Sequence, residues 1–561
     1  MDAMVFGATG FIGRSLVAEL LTRGQRVAAA VRNDTLTPWL TSQGVDIERL
    51  EIVTADITRP LPELPEVRDV YNTAARFAFG LDSREARAVN VTGALNVVEW
   101  AAGLPELRRL VHISGYRVSA AGGHPGDIAP GAYEASKLEG DLAVRARCQE
   151  SGVPLSVVNP STVIGPGQYI GLAGLVGDLW NGKLPVLPGG PDTFVPIVTV
   201  GHLARFLAEV PAAPPGESYW VLDDTTPPLP ELIGTIAYHM GLRAPRRTVP
   251  VALLRRLPRT VTRADPETLS FLSADRYPTA SAHALAAGAG LEMPPAADAL
   301  RAWADDLVAA RFGTASPWSK PYGFRDVAGS RTWMTGERYS PGHVLLHGLP
   351  LNADSWAPLA ARIPGPVLAP DLPGLGRSAA ATGSVDAWLE DLMSPVRTRP
   401  VLVAHSLACA PVVRFAAAHP DRVSGLVLVS PSFLQAPGPR LARSGLAAPM
   451  LRRMSAARLA RTLGVPAGAE VASAAADLHR PGVARRVVTA LRGDAAERDR
   501  SRTLLGRVDV PVRIIAGSTD RPLVAAGHPM TEIEGAGHYP HLTHPTQLAR
   551  HLGAASAPVG G

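Results

Sequence analysis

The stretch that most constrains the fold is Val5-Phe-Gly-Ala-Thr-Gly-Phe-Ile-Gly13, an apolar strand that runs into glycines at 7, 10 and 13 and then into the amphipathic segment Arg14–Arg23. A strand, a glycine-rich turn and a helix N-terminus in that order can hold the pyrophosphate of a dinucleotide. Glycine lets the backbone turn tightly and approach phosphate with no Cβ in the way, while free N–H groups and the positive end of the helix dipole favour its charge. In a chain with 54 glycines the turn alone carries little weight. Its weight comes from its position and from the pattern behind it.

Buried-strand patterns recur at Val27–Val31, Glu51–Thr54, Asp69–Thr73 and Leu110–Ser114, with Gly24 closing the first helix and a long helical pattern over Arg84–Ala102 stopping at Gly103. Strand alternating with helix predicts a doubly wound parallel sheet. Tyr133-Glu-Ala-Ser-Lys137 follows, opening a helical run to Cys148, and then a strand at Leu155–Asn159. Tyr133 and Lys137 are i and i+4 and share one helix face. A phenol with an unperturbed pKa of ~10 exchanges protons at neutral pH only where its phenolate is stabilised, as an adjacent ammonium would do. Arg32, at the end of the second strand, stands where NAD-selective folds carry an acid. A cation there suits a 2′-phosphate, so NADP(H) is expected over NAD(H).

With these blocks in order, residues 1 to about 312 resemble an extended short-chain dehydrogenase/reductase, in the group of 3β-hydroxysteroid dehydrogenases, dihydroflavonol reductases and nucleotide-sugar epimerases. The motifs are Gly7/Gly10/Gly13, Ala55-Asp-Ile57, Asn72-Thr-Ala-Ala75, Asn90-Val-Thr-Gly93, Tyr133/Lys137 and Asn159-Pro-Ser-Thr-Val-Ile-Gly-Pro-Gly167. The resemblance implies a nicotinamide cofactor along Gly7, Thr9, Gly10, Phe11, Ile12 and Gly13, with Asp56 and Ile57 at the adenine and Ala74, Pro160 and Val163 also lining it. It makes Tyr133 the catalytic acid and puts Lys137 on the nicotinamide ribose. The family places a Ser or Thr, often paired, after the fifth strand to hold the substrate oxygen. Here the sequence is His112-Ile-Ser-Gly-Tyr116. Gly115 occupies the second position of the pair, leaving Ser114 as the candidate, with a strand-capping role as its alternative. No acidic residue accompanies it, which favours carbonyl reduction or alcohol oxidation over dehydration. Residues 168–312 are expected to form a small substrate subdomain, with Asp192–Leu203 returning to the sheet and Asp275–Trp303 as a closing helix. Its apolar content favours a lipophilic or acyl substrate over a nucleotide sugar.

Residues 313–325, within a stretch that breaks every periodicity, are expected to be a linker. The pattern then restarts with strands at Gly329–Gly336 and His343–His347, and the apolar strand of Val401-Leu-Val-Ala-His-Ser-Leu-Ala-Cys-Ala410 passes directly into a helix at Pro411–Ala418. A sharp strand-to-helix turn of this kind exposes a serine hydroxyl, and Ala404 and Ala408 stand where glycine usually relieves crowding. A nucleophilic Ser406 needs a base and an orienting acid. Strand Val512–Ala516 leads to Asp520, and Glu534-Gly-Ala-Gly-His538 follows, giving the chain order Ser, Asp, His. His538 is preferred to His528, His541 and His544 because a Gly-x-Gly turn precedes it. Asp371 reads as a structural acid, and the backbone N–H groups of Leu349 and Leu407 as oxyanion donors. Residues 326–561 thus resemble an α/β-hydrolase with a helical cap at about 431–503. Haloalkane dehalogenases and epoxide hydrolases place Asp at the elbow, so Ser406 indicates an esterase, thioesterase or lactonase.

The 561 residues, 46% apolar and 19% charged, suit large soluble domains. No apolar run is long enough to span a bilayer, no leader is expected, and Cys148 and Cys409 are too few for a disulfide framework, which fits a cytoplasmic setting. The net charge of +5 is carried by Arg pairs such as Arg246-Arg247, Arg255-Arg256 and Arg452-Arg453. These form a solvated basic face or attract an acidic partner such as an acyl carrier protein, a coenzyme A thioester or a membrane surface. No nucleic-acid signature accompanies them, no metal is expected, and an oligomer is left open. His343 and His347 share a strand face without a third ligand.

The expected fold class is α/β: an N-terminal Rossmann-type doubly wound parallel sheet with a small substrate subdomain, then a C-terminal α/β-hydrolase domain. The expected function is bifunctional, pairing NADP-dependent reduction of a ketone or β-keto acyl group, or oxidation of the alcohol, with serine-dependent hydrolysis. Two alternatives are a nucleotide-sugar epimerase fused to an esterase, and a pair in which one half has lost chemistry and serves as a binding module.

Overall fold

In the computed structural model, residues 1–76, 82–118, 132–254, 272–436, 444–492, 495–521, 523–524 and 527–553 are described. Arg255-Arg256 lies outside them. The chain forms two compact units, one of Met1–Leu175, Pro185–Ile236 and Pro245–Trp303, the other of Val176–Leu184, Ala237–Ala244 and Ala304–Gly561.

The first unit is built on a seven-stranded parallel sheet. Strands β1 (Ala3–Phe6), β2 (Val27–Val31), β3 (Leu50–Thr54), β4 (Asp69–Asn72), β5 (Arg109–Ile113) and β6 (Leu155–Pro160) take the order 3-2-1-4-5-6, and Ser218–Val221 pairs beside β6. Parallel strands covered by helices on both faces read as unbroken apolar runs, and β1 and β2 are buried at every residue. The first helix, Phe11–Thr22, buries Gly13, Leu16, Val17, Leu20 and Leu21, the stripe a helix against a sheet requires, and Gly24 follows at φ +78°.

Three expected elements differ. The single helix over 84–102 is two helices, Ser83–Arg87 and Ala94–Ala102, joined by a π-helical stretch Ala88–Gly93. Among the described residues, 192–203 do not rejoin the main sheet: Ile197–Thr199 pairs with Thr162–Ile164 in a separate two-stranded ribbon, and the helix Val200–Glu209 begins at once. The closing helix over 275–303 is split into Ala280–Gly288 and Ala296–Ala309. Gly290 at φ +65° and the prolines at 294 and 295 account for the break.

The second unit holds an eight-stranded sheet. Its order is Tyr322–Val327, Ser330–Gly336, Val367–Pro370, His343–Leu346, Val401–His405, Gly425–Val429, Val512–Gly517 and Met530–Ile533. The first two pairings in this order are antiparallel and the remaining ones parallel. Among the described residues, five α-helices, Ala447–Arg452, Ala456–Leu463, Ala469–His479, Val483–Leu491 and Ala495–Leu505, fall between Gly425–Val429 and Val512–Gly517. The strand Tyr322–Val327 starts inside the stretch expected to be a linker. Val176–Leu184 and Ala237–Ala244, expected in the substrate subdomain, belong to the second unit. Trp180 lies edge-on to Phe324 at 6.0 Å between ring centroids, and Arg480 stacks 3.4 Å over Trp180. The His239 Nε2–H donates to Asp305 at 2.8 Å while Arg331 donates to His239 Nδ1 at 2.9 Å.

Candidate active sites

In the first unit the glycine turn is held by close backbone approach. Gly7 has φ +77°, and a Cβ there would lie 2.6 Å from the Ala74 nitrogen; one at Gly13 would lie 2.2 Å from the Gly7 oxygen. Larger residues are excluded at both places, which brings β1, the helix N-terminus and the segment after β4 together. Gly10 caps the helix without any side-chain hydrogen bond and no acid sits in its first turn, so the end of the dipole is open to an anion. Phe11 and Ile12 are half-buried against the core, Thr9 is exposed, Val163 and Ile57 are buried, and Pro160 ends β6. Asp56 accepts from the Thr58 N–H at 3.0 Å and hydroxyl at 2.8 Å, and these bonds hold its carboxyl below the usual range, with Arg32 adding to the effect. Arg32 itself is exposed. The open helix end, the glycine cradle and the Asp56/Arg32 pair fit a dinucleotide.

Tyr133 and Lys137 sit in the first two turns of the helix Ala132–Ser151. Lys137 is buried and its ammonium donates to the Ile113 carbonyl at 2.8 Å. Burial, opposed by nearby Asp141, lowers its pKa to about 8. The Tyr133 backbone carbonyl accepts from the Ser136 hydroxyl at 2.9 Å, and Ser136 in turn accepts from Asn90 at 2.9 Å. Asn90 lies in the π-helical stretch, and a Cβ at Gly140 would fall 2.1 Å from its carbonyl oxygen, so only glycine admits this helix contact. Ser114 follows β5, with its hydroxyl buried and unpartnered among the described residues. At Gly115 a Cβ would meet only Val118, at an ordinary 3.5 Å, so packing does not exclude a side chain there.

The second unit assembles Ser406, His538 and Asp520. Strand Val401–His405 delivers Ser406 at φ +54°, the left-handed region that a non-glycine residue occupies only under constraint. His538 Nε2 is 3.0 Å from Ser406 Oγ, and His538 Nδ1 is 2.9 Å from Asp520 Oδ2. A carboxylate only accepts, so the Nδ1–H donates to Asp520 and Nε2 is left to accept the serine proton. Burial raises the pKa of Asp520, but the His538 interaction and the Arg521 N–H at 2.7 Å outweigh it and hold the acid at about 2. Ala404 and Ala408, buried at the elbow, are accommodated there.

Leu349 lies in the loop after His343–Leu346, where its carbonyl accepts from the Tyr539 hydroxyl at 3.0 Å, and Leu407 lies in the turn Ser406–Ala408. Gly348 is required: a Cβ would stand 2.3 Å from His405 Nδ1 and 2.9 Å from Ser406 Cβ. Of the competing histidines, His528 is 2.9 Å from the Leu505 carbonyl, His544 is 2.9 Å from Thr543 Oγ1, and His541 is buried against Trp356. Asp371 is buried, taking the Ala353 N–H at 2.6 Å and the Arg377 N–H at 2.7 Å. His347, expected as the last residue of its strand, lies one residue past the strand His343–Leu346 and accepts the Leu372 N–H at 2.9 Å.

Sequence reasoning missed Gln435, whose amide donates to Asp520 Oδ2 at 2.7 Å and accepts from Arg521 at 3.0 Å, and His405, whose Nε2 lies 2.8 Å from the His538 carbonyl. Adjacency to Ser406 could have marked His405. Nothing local marks Gln435.

Residues 3–177 match the NAD-dependent epimerase/dehydratase family and residues 344–551 the α/β-hydrolase family. A pimeloyl-[acyl-carrier protein] methyl ester esterase of Neisseria meningitidis is 30% identical over 231 residues, covering 36% of this chain and 89% of that one. Sterol demethylase protein B of Methylococcus capsulatus is 29% identical over 275 residues, covering 46% of this chain and 79% of that one. The chain joins a member of the epimerase/dehydratase family to a member of the α/β-hydrolase family. The epimerase/dehydratase part is of oxidoreductase type and the α/β-hydrolase part of esterase type. Among the described residues of this fusion no group of His, Cys, Asp and Glu could hold a metal ion, and no helix is long and apolar enough to cross a membrane.

Proposed function

We propose that this chain is a bifunctional enzyme in which NADP-dependent reduction of a ketone or β-keto acyl group, or oxidation of the corresponding alcohol, is paired with serine-dependent hydrolysis of an ester, thioester or lactone. The observation that carries the proposal is the unbroken line from Asp520 through His538 to Ser406. In hydrolysis, His538 Nε2 takes the proton from Ser406 Oγ as that oxygen attacks the acyl carbon, and Asp520 steadies the imidazolium. The backbone N–H groups of Leu349 and Leu407 receive the developing oxyanion, and His538 returns the proton to the leaving group. Water then releases the acyl group from Ser406 by the same proton route.

In the first unit the nicotinamide, when bound, supplies or accepts hydride. Tyr133 Oη delivers the proton to the carbonyl oxygen, the Lys137 ammonium stabilises the phenolate, and the Ser114 hydroxyl holds the substrate oxygen. Gly7 through Gly13 bind the dinucleotide, and exposed Arg32 favours the 2′-phosphate. An acyl carrier protein or coenzyme A thioester is supported by the cap, where residues 444–492 carry eight Arg against Glu470 and Asp477. Arg452, Arg453, Arg458, Arg461, Arg485 and Arg492 are exposed. A cytoplasmic setting agrees with the two buried, unpaired cysteines.

NADPH consumption with a panel of keto-acyl thioesters is expected to collapse in Tyr133→Phe, and hydrolysis of p-nitrophenyl esters in Ser406→Ala, with each variant keeping the other activity. Retention of both rates would overturn the assignment. The missing hydroxyl at Gly115 favours a second reading, in which the first unit binds cofactor without turnover; cofactor fluorescence changes without consumption would mark it.

A further inference from the structure

His405 immediately precedes Ser406 and takes no part in the proton transfers above. Its ring is fully buried, and Nε2 lies 2.8 Å from the main-chain oxygen of His538. A carbonyl only accepts, so Nε2 carries the proton and Nδ1 presents a lone pair. Nδ1 has no partner among the described residues and faces Gly348, where a Cβ would lie 2.3 Å away. Burial, then the neighbouring His541 and His538, keep the ring neutral by depressing its pKa well below the ordinary value. A residue that only filled the core would do so at lower cost as an apolar side chain, because a buried lone pair without a partner is unfavourable.

We propose that His405 is a positioning residue of the hydrolase: its Nε2–H fixes the main chain of His538 so that the imidazole meets Ser406 Oγ, and its ring seats Gly348 and with it the oxyanion loop. One side chain thereby touches the loop of the base and the loop of an oxyanion donor while being joined by a peptide bond to the nucleophile. The proposal rests on the Ser406–His538–Asp520 reading. Misplacement of a catalytic group by ~1 Å is enough to lower a rate by about a hundredfold.

Two amides separate positioning from filling. In His405→Gln the amide nitrogen can stand where Nε2 stood, whereas in His405→Asn it falls near Nδ1, towards Gly348 and short of the His538 carbonyl. With the full-length protein and p-nitrophenyl butyrate, kcat of His405→Gln is expected within about threefold of wild type. His405→Asn should lose about 10- to 100-fold in kcat with KM changed less than about twofold. The rate of covalent labelling of Ser406 by a fluorophosphonate should follow the same order. Equal kcat in the two variants, or a loss confined to KM, overturns the proposal. If His405→Asn does not fold, the Gln variant decides alone: folded by thermal melting but labelled more than about tenfold slower than wild type, it overturns the proposal. Ser406→Ala in the same assay separates the two levels. Hydrolysis surviving in it removes the triad reading itself, whereas its loss beside equal Gln and Asn variants removes only the role of His405.

Discussion

At the scale of single residues, chemistry was legible where it comes with a spacing. Tyr133 and Lys137 announce themselves by four residues of helix, and Ser406 by the strand and helix on either side of it. The burial of Lys137 was not legible, and it has a consequence for pH. With its pKa lowered to about 8, the ammonium proposed to stabilise the Tyr133 phenolate is present below that pH and lost above it. The kcat/KM of NADPH-dependent reduction should therefore fall as pH rises through about 8. Lys137→Arg, whose guanidinium keeps its charge, should move that descending limb upward by at least ~1 unit while lowering the maximum rate. A limb that stays in place in the Arg variant belongs to another group. Gln435 and His405 escaped the sequence because what matters in each is a contact across 85 and 133 residues of chain.

At the scale of elements, the helix Ala469–His479 shows how a cap is held. Asp477 and Ser473 on one of its faces meet Arg311, Asn352 and Asp354: Asn352 donates to Asp477 at 2.7 Å and to Ser473 at 2.8 Å, and Arg311 pairs with Asp477. Arg480, at the end of the same helix, donates to the Gly376 carbonyl at 2.9 Å. All of these groups are largely or fully buried, so removing one charge strands another away from water. Asp477→Ala is expected to cost roughly 3–5 kcal/mol in urea unfolding, and Arg311→Met combined with Asp477→Leu clearly less, because the double variant leaves no unpaired charge. A loss below ~1 kcal/mol in Asp477→Ala would show that the network does not anchor the helix. Strands and helices with strong periodicity were readable to within a residue or two, as in Val27–Val31 and Val401–His405. The π-helical turn at Ala88–Gly93 was not, since its residues suit an α-helix equally well and the departure accompanies Asn90 packing against Gly140.

At the scale of the whole molecule, the chain does not divide where its composition does. The second unit takes in Val176–Leu184 and Ala237–Ala244, and through them Trp180 against Phe324 and Arg480, and His239 between Asp305 and Arg331. A fragment of residues 313–561 should accordingly melt well below the corresponding transition of the full chain and be less soluble, because it exposes the face of Phe324 that Trp180 and His239 cover and leaves Arg331 without its buried acceptor His239. Identical melting of fragment and full chain would show that those segments contribute nothing. The sequence by itself determined the two α/β sheets, their order and the types of residue at each candidate site, since burial on both faces, glycine turns and strand-to-helix elbows impose local patterns that survive as text. Only the tertiary structure decided which histidine meets Ser406, what steadies Asp520 and His538, and which stretches of the first half complete the second unit. Those outcomes depend on contacts between residues far apart in the chain, where spacing and periodicity carry no signal.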